Sequence, residues 1–281
     1  MIRFFADKSD ISESMIQLDS EDAAHIRSLR LRPSEFFVVC DGEGTDYVCR
    51  LGGGGAMRRR GERKEERGEI KDEGGTYAEI VEARPSLGEP TIKCSAYIAL
   101  AKGDRLDYAV QKSVELGAYE IILFPSERCV AHPGDMTKKT ARLQRIALET
   151  AKQCGRGRVP EVSAVSSFGI AVENASKADM PLFFYECEEQ VHLKHILENR
   201  SQIENAGANQ DSGPGGLESC DEDSKMTFSI MCGPEGGFEH HEADLAQSNG
   251  MFAVSLGPRI LRCETAPAAA LAAIMFHTGN L

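Results

Sequence analysis

Apolar and polar positions alternate with period two over much of the first fifty residues. The runs IRFF at 2–5, SMIQL at 14–18, FFVVC at 36–40 and TDYVCRL at 45–51 read as half-buried strands. Asp41-Gly42 predicts the turn between the last two. Ser20 is placed to cap a short helix carrying His25, Leu29 and Arg30. A further strand is predicted for TYAEIVEA at 76–83.

From Thr91 the rhythm changes to short apolar runs separated by stretches of helical period. TIKCSAYIALA, YEIILF, VSAV, PLFFYE, TFSIMC and FAVSL read as strands. Between the first two, Asp104 caps a helix whose Leu106, Val110 and Val114 recur every fourth residue, and Gly117 ends it. Further helices are predicted from about Thr137 to Cys154, near 168–178, from about Gln190, over EADLAQ, and over ETAPAAALAAIMF at the end. Strand–helix alternation of this kind predicts an α/β domain with a parallel sheet. The expectation is therefore a small β domain over residues 1–88 and an α/β domain over 89–281, joined near Pro85–Pro90.

Two stretches interrupt this pattern. Residues 52–75 hold seven basic and six acidic residues and almost no large apolar side chain. Residues 205–225 are rich in Gly, Ser and Asp. Both read as disordered insertions that lack the apolar surface to order themselves. The first is a solvated loop or an RNA-contacting arm.

Composition adds little until it is read locally. With 281 residues, 41% hydrophobic and 27% charged, the chain is of ordinary globular type and long enough for two domains. No apolar run has the length of a membrane span, and MIRFFADKSD lacks the layout of a secretion signal. Nine cysteines occur singly with no CxxC pair, which argues against a metal site and for reduced thiols in a cytoplasmic protein. The net charge of −12 argues against a general nucleic-acid binder. Between residues 138 and 158, however, Lys138, Lys139, Arg142, Arg145, Lys152, Arg156 and Arg158 face only Glu149. The helical spacing sets Lys138, Arg142, Arg145 and Lys152 on one side, with Leu143, Ile146, Ala147 and Thr150 opposite. Such a face suits a polyanion.

Two late loops carry the candidate chemistry. CGPEGGF (232–238) and GPRILR (257–262) each follow a predicted strand, at the edge where open α/β sheets bind ligands. The first is no phosphate loop. It lacks the Gly-Lys-Ser/Thr triplet, its Gly233, Gly236 and Gly237 do not match GxGxxG, and Glu235 would repel a pyrophosphate. A cofactor without phosphate fits, and S-adenosylmethionine, with its cationic sulfonium, fits best. Two structural glycine turns in an α/β fold remain the alternative.

GPEGGF followed by SLGPRILRCETA closely resembles the knotted SPOUT class of methyltransferases. The likeness is greatest to the family that methylates N3 of a uridine in bacterial small-subunit (16S) ribosomal RNA. It extends to RFF at the start, HIRSLRLRPSE, AKGDRLDYAVQKSVELGA and RIALETAKQCGRGRVP. Cys263 stands where that pattern usually has Thr, and Pro267 is an addition that the first turn of a helix tolerates. The resemblance implies an N-terminal PUA-like β-barrel, a C-terminal trefoil knot, a homodimer with Leu271, Ile274 and Met275 of the terminal helix buried between subunits, and a cytoplasmic enzyme without metal or membrane. It implies that Gly233, Pro234, Glu235, Gly236, Leu256, Gly257, Ile260, Leu261 and Arg262 line an S-adenosylmethionine site that Thr265 and Ala266 close. Arg262 and Arg156 are then candidates to stabilise a uridine anion, and Glu264 is a proton acceptor or a helix cap. Arg156 is alternatively a phosphate contact. Arg3, His25, Arg30, Lys112, Lys138, Arg142, Arg145, Lys152, Arg156 and Arg158 are the candidate RNA contacts, with Lys112 and Glu115 otherwise a surface pair. The RNA is free or part of an assembled subunit. Two other functions stay open: a ribose 2′-O-methyltransferase of the same class, and a non-catalytic ribosome-assembly factor.

Overall fold

The computed structural model describes residues 2–32, 34–52, 76–130, 135–199 and 225–281. Of the two predicted insertions, 52–75 and 205–225, only the end residues Gly52 and Lys225 fall within this set. The remainder lies outside the described residues. The chain divides into two units, residues 1–89 with 155–158, and residues 90–154 with 159–281.

The first unit contains β1 (Arg3–Phe5), β2 (Met15–Gln17), α1 (Ser20–Leu29), β3 (Phe36–Cys40), β4 (Thr45–Leu51) and β5 (Tyr77–Pro85). The strands form one sheet in the order β1-β3-β4-β5-β2, with β1 parallel to β3 and the other pairs antiparallel. Its core is Phe4, Ile16, Leu18, Ile26, Phe37, Val39, Cys49 and Ala78. The cap of α1 is Asp19, not Ser20: its carboxylate accepts from the Asp22 amide at 2.6 Å, where a negative charge also meets the positive end of the helix dipole. The turn at Asp41-Gly42 is as expected, with Asp41 Oδ1 accepting from the Glu43 and Thr45 amides.

Two ion pairs, built on the buried side chains of Asp46 and Arg156, tie this unit together. Arg3 donates from both terminal nitrogens to Asp46, at 2.7 and 2.8 Å. Ser86 and the Cys40 thiol also hydrogen-bond to Asp46. Burial alone would raise the Asp46 pKa, but the bonds from Arg3, Ser86 and Cys40 outweigh it and hold the carboxyl below its ordinary range. Glu89 captures residues 156–158: it accepts from Arg156 Nη2 at 2.7 Å, from Arg156 Nε, and from the amides of Gly157 and Arg158. A side chain at Gly157 would collide with Ser86, its Cβ falling 1.8 Å from Oγ.

The second unit contains β6 (Lys93–Ala99), α2 (Arg105–Glu115), β7 (Glu120–Phe124), α3 (Met136–Cys154), β8 (Glu161–Ala164), α4 (Phe168–Ala175) and β9 (Met180–Phe184). A helix over residues 193–199, α5, follows. The chain then forms β10 (Thr227–Cys232), α6 (His240–Ser248), β11 (Phe252–Val254) and α7 (Ala266–His277). All six strands are parallel, in the order β11-β9-β10-β6-β7-β8. Such strands are covered on both faces, which is why β9, MPLFF, is buried throughout. Helices α4 and α6 cover one face over Tyr97, Phe124, Phe183, Met231 and Phe238. Helices α2, α3 and α7 pack together over the other. Asp104 precedes α2 without a side-chain capping bond, and Gly117 ends it at φ +86°. Pro267 sits in the first turn of α7, where no amide partner is lost. On α7, Leu271, Ile274 and Met275 are fully buried within their own chain, and the large apolar side chain this helix exposes is Phe276, 74% exposed.

Among the described residues all eight cysteines are free, no helix is long and apolar enough to cross a membrane, and no cluster of His, Cys, Asp or Glu is arranged to hold a metal.

The pairing of Arg3 with the buried Asp46 gives a stability prediction. A carboxyl whose folded pKa is depressed stabilises the fold above its unfolded value, about 3.9, and that contribution is lost as pH falls through the folded value. Asp46→Asn leaves the partly buried Arg3 guanidinium without its counter-charge and costs on the order of 2 kcal/mol at pH 7. Thermal unfolding followed by circular dichroism from pH 7 to pH 3 will show the variant melting lower at neutral pH. The gap to the parent will narrow below about pH 4.

Candidate functional site

Neighbouring strands β11, β9 and β10 release three loops at one edge of the parallel sheet, where such sheets hold ligands. Together they enclose a cleft of about 950 Å3. Its walls are residues 233–237 after β10, 254–264 after β11, and Phe184 to His192 after β9, with Arg105 from α2.

Four distant side chains fix the first loop. Phe238 is buried, its ring 4.4 Å from that of Phe183 and stacked at 6.4 Å on Phe124. Glu186, just after β9, accepts from the Phe238 amide at 2.9 Å. Arg128 donates to the Gly236 carbonyl at 3.2 Å and pairs with Glu239. Arg105 donates to Glu235 Oε1 at 2.8 Å, beside the Lys102 amide at 2.9 Å. This packing dictates the glycines. A Cβ at Gly237 would lie 1.7 Å from Glu186 Oε1, at a φ of +70° that disfavours other residues, and one at Gly233 would press into the Phe238 ring.

The second loop is less anchored. Gly257 takes φ +115°, a Cβ there would meet nothing within 4 Å, and Pro258, Arg259, Ile260 and Arg262 are exposed. At its end the Thr265 and Ala266 amides both donate to the Arg262 carbonyl, turning the chain into α7.

The electrostatics of the cleft are acidic. Glu186, Glu188, Glu189, Glu235 and Glu264 line it against Arg105, Arg259 and Arg262. Burial works to raise the Glu235 pKa, but the Lys102 amide, its own backbone amide and Arg105 together hold it below the ordinary value. Glu264 lies 4.0 Å from both Arg105 and Arg262 and receives the Cys263 thiol at 3.2 Å. Burial pushes that thiol up to about 12. An acid-lined cleft with no lysine among its described wall residues suits a cationic ligand better than a phosphate.

Ten of the eleven residues expected at a cofactor site line this cleft: Gly233, Pro234, Glu235, Gly236, Leu256, Gly257, Ile260, Leu261, Arg262 and Ala266. Thr265 is adjacent, outside the lining, and makes no side-chain capping bond to α7. Arg262 and Glu264 meet in the cleft. Arg156 does not line it: 3% exposed and gripped by Glu89 in the first unit, its guanidinium is engaged structurally. The wall from Tyr185 to His192 and the cation Arg105 were not anticipated. The strand-end rule applied to PLFFYE would have pointed to the former.

The expected RNA contacts divide in the same way. In the first unit Arg3 is turned inward onto Asp46. His25 and Arg30 are exposed on and just after α1, with Arg30 in the left-handed region at φ +52°. Arg158 bridges to the backbone of Gly42 and Glu43. In the second unit the basic side of α3 is less free than its sequence suggests. Asp107 on α2 binds Arg142 with both oxygens, Lys138 pairs with Asp135, and Lys152 lies 3.8 Å from Glu149. Lys112 pairs with Glu115. Arg145 is exposed, while Leu143, Ala147, Thr150 and Ala151 are buried.

Comparison with known proteins agrees with this geometry. A family model described as an RNA methyltransferase domain matches residues 88–275, and one described as an RNA methyltransferase PUA domain matches residues 18–55. The chain is 29% identical to a ribosomal RNA small subunit methyltransferase E of Bacillus subtilis (strain 168), over 99% of this chain and 97% of that one. It is 27% identical to the protein of that name from Mesomycoplasma hyopneumoniae (strain 232), over 95% of each. A solved structure of ribosomal RNA small subunit methyltransferase E from Neisseria gonorrhoeae, bound to S-adenosyl methionine, is 28% identical. It covers 98% of this chain and 97% of its own, with a TM-score of 0.68. With two-thirds of its length matched by the larger model, this chain belongs to the family of the RNA methyltransferase domain.

Proposed function

We propose that this chain transfers the methyl group of S-adenosylmethionine to N3 of a uridine in small-subunit ribosomal RNA. The observation that carries this reading is the acid-lined cleft built from Gly233–Gly237 and Leu256–Arg262 at the edge of a parallel sheet. Its charge fits a sulfonium, and the open space at Gly257 lets a ligand approach backbone closely. When bound, S-adenosylmethionine supplies an activated methyl group. The ten lining residues named above would hold it.

The chain's own residues supply orientation and charge. Glu235, kept ionised by Arg105 and the Lys102 amide, gives the cleft a fixed negative wall. Arg262, exposed over 81% of its side chain, stands at the mouth and stabilises the uridine anion as the N3 proton leaves. Glu264, partly buried beside it, accepts that proton. Aligning the nitrogen with the methyl–sulfur bond can contribute roughly 7–11 kcal/mol. The uridine is taken from a loop or flipped out of its stack, since N3 lies on the pairing edge.

The same reading takes the C-terminal segment as a trefoil knot, the working form as a pair of chains, and the cytoplasm as its place. His25, Arg30, Lys138, Arg145 and Lys152 are the RNA contacts it retains. These fix register on the backbone and carry no sequence information.

Mass mapping of ribosomal RNA from cells lacking this protein tests the activity. Loss of one base methyl group from a small-subunit uridine is expected, and loss of a ribose methyl group would overturn the assignment. Gly257→Asp fills the open space that a ligand needs against the backbone, at a φ of +115° that disfavours any side chain, so S-adenosylmethionine binding measured by calorimetry should fall at least tenfold, with circular dichroism checking that the fold is kept. RNA binding should weaken with salt by roughly 0.7 to 0.9 logarithmic units per phosphate contact. Lys138→Ala with Arg145→Ala should flatten that slope by up to about two units, leaving cofactor affinity unchanged. Light scattering at micromolar concentration should report a dimer. Phe276→Glu should shift it toward monomer, since a charge there disrupts an apolar contact.

A further inference from the structure

Arg105 opens α2, and its guanidinium lies between carboxylates on two separate loops, Glu235 and Glu264. Nη1 donates to Glu235 Oε1 at 2.8 Å on the loop after β10. Nε lies 4.0 Å from Glu264 Oε2, at the far end of the loop after β11. Both carboxylates are partly buried, with side-chain exposures of 18% and 16%. Glu235 Oε2 is buried without a hydrogen-bond partner among the described residues. Without a cation between them, two desolvated carboxylates repel, and the low local dielectric strengthens that repulsion.

The two loops differ in what else restrains them. Phe238 nails the first into the core beside Phe183. On the second, Ile260 is 83% exposed and Pro258, Arg259 and Arg262 are exposed too, so the exposed middle of this loop has no comparable apolar anchor. An isolated, half-exposed ion pair is worth little. A guanidinium facing two carboxylates on separate loops differs, because its removal leaves both charges unpaired against each other.

We infer that Arg105 is a positioning residue that sets the second loop against the first, through Glu264 and Glu235, at the separation the bound cofactor requires. This rests on the S-adenosylmethionine reading of the cleft. The obvious rival is that Arg105 binds the carboxylate of the ligand's amino-acid portion directly. The two differ in their coupling. A positioning residue acts through Glu235, so losses on removing either partner overlap; a direct contact acts alone, so losses add.

The experiment compares the parent chain with Arg105→Ala, Arg105→Lys, Glu235→Gln and the double variant Arg105→Ala/Glu235→Gln. S-adenosylmethionine binding is measured by calorimetry, and amide hydrogen exchange is measured on the free proteins. Arg105→Ala should weaken binding about tenfold, and the double variant should lose clearly less than the product of the two single losses. Arg105→Lys keeps the charge but not the fork, and should recover to within about threefold of the parent. In the free Arg105→Ala protein, exchange across residues 256–264 should quicken while the Phe238 amide stays protected. Kinetically, the KM for S-adenosylmethionine should rise. Additive losses, unchanged exchange in the second loop, or binding by Arg105→Ala within twofold of the parent would each overturn the inference. Absence of any binding by the parent chain would instead overturn the cofactor reading, and the exchange comparison would still report on the loops.

Discussion

The contact between Phe238 and Phe183 is the constraint on which the cleft depends. A loop that must arch over the end of a sheet while presenting charge needs one apolar anchor, and Phe238 fills a core space among Phe124, Phe168 and Phe183. Once that ring is seated, the backbone before it has almost no freedom. Gly233 must clear the ring, Gly237 must clear Glu186, and Glu235 is left directed toward α2, where the Lys102 amide and Arg105 receive it. The acidic character of the cleft thus follows from packing on its underside.

The division of labour across the parallel sheet follows from strand order. Strands β10 and β11 are separated by β9, so their loops leave a gap that the β9 loop walls off with Tyr185, Glu186, Glu188 and His192. The opposite end of the strand order, at β7 and β8, contributes no lining residue among the described ones. Helix α3 serves a different purpose. Its buried stripe of Leu143, Ala147, Thr150 and Ala151 joins it to the sheet layer, and its basic side is partly neutralised by Asp107 from α2. That pairing narrows the polyanion-facing charge to fewer residues than the count of lysines and arginines implies.

What could be read from sequence was local, and what could not was the product of long-range pairing. Period-two and period-3.6 patterns reveal the strands and helices because burial imposes those periods directly. GPEGGF and GPRILR are visible because their glycines, forced by close packing at Gly233 and Gly237 and by a φ of +115° at Gly257, lie next to the strands that place them. Arg105 was invisible as a site residue. It sits 130 residues from Glu235 and looks like any first-turn arginine of an amphipathic helix. Arg3 and Arg156 were misjudged for the matching reason: an arginine's partner decides whether it faces solvent, and Asp46 and Glu89 carry no sequence mark of that role. Leu271, Ile274 and Met275 were expected between subunits. The helix they occupy is apolar on nearly every side, so composition alone could not say which side its own sheet would claim.

The grip of Glu89 on residues 156–158 has a consequence for how the protein is made. Four of its hydrogen-bond donors belong to a segment that emerges from the ribosome about seventy residues after Glu89 itself. Until then this carboxylate has none of them, and the space beside Ser86 and Gly88 that later receives Gly157 and the Gly155 carbonyl stands open. Nascent chains stalled between these two points should therefore carry an unfinished amino-terminal module, and the apparent boundary at residue 89 is no place to cut the gene.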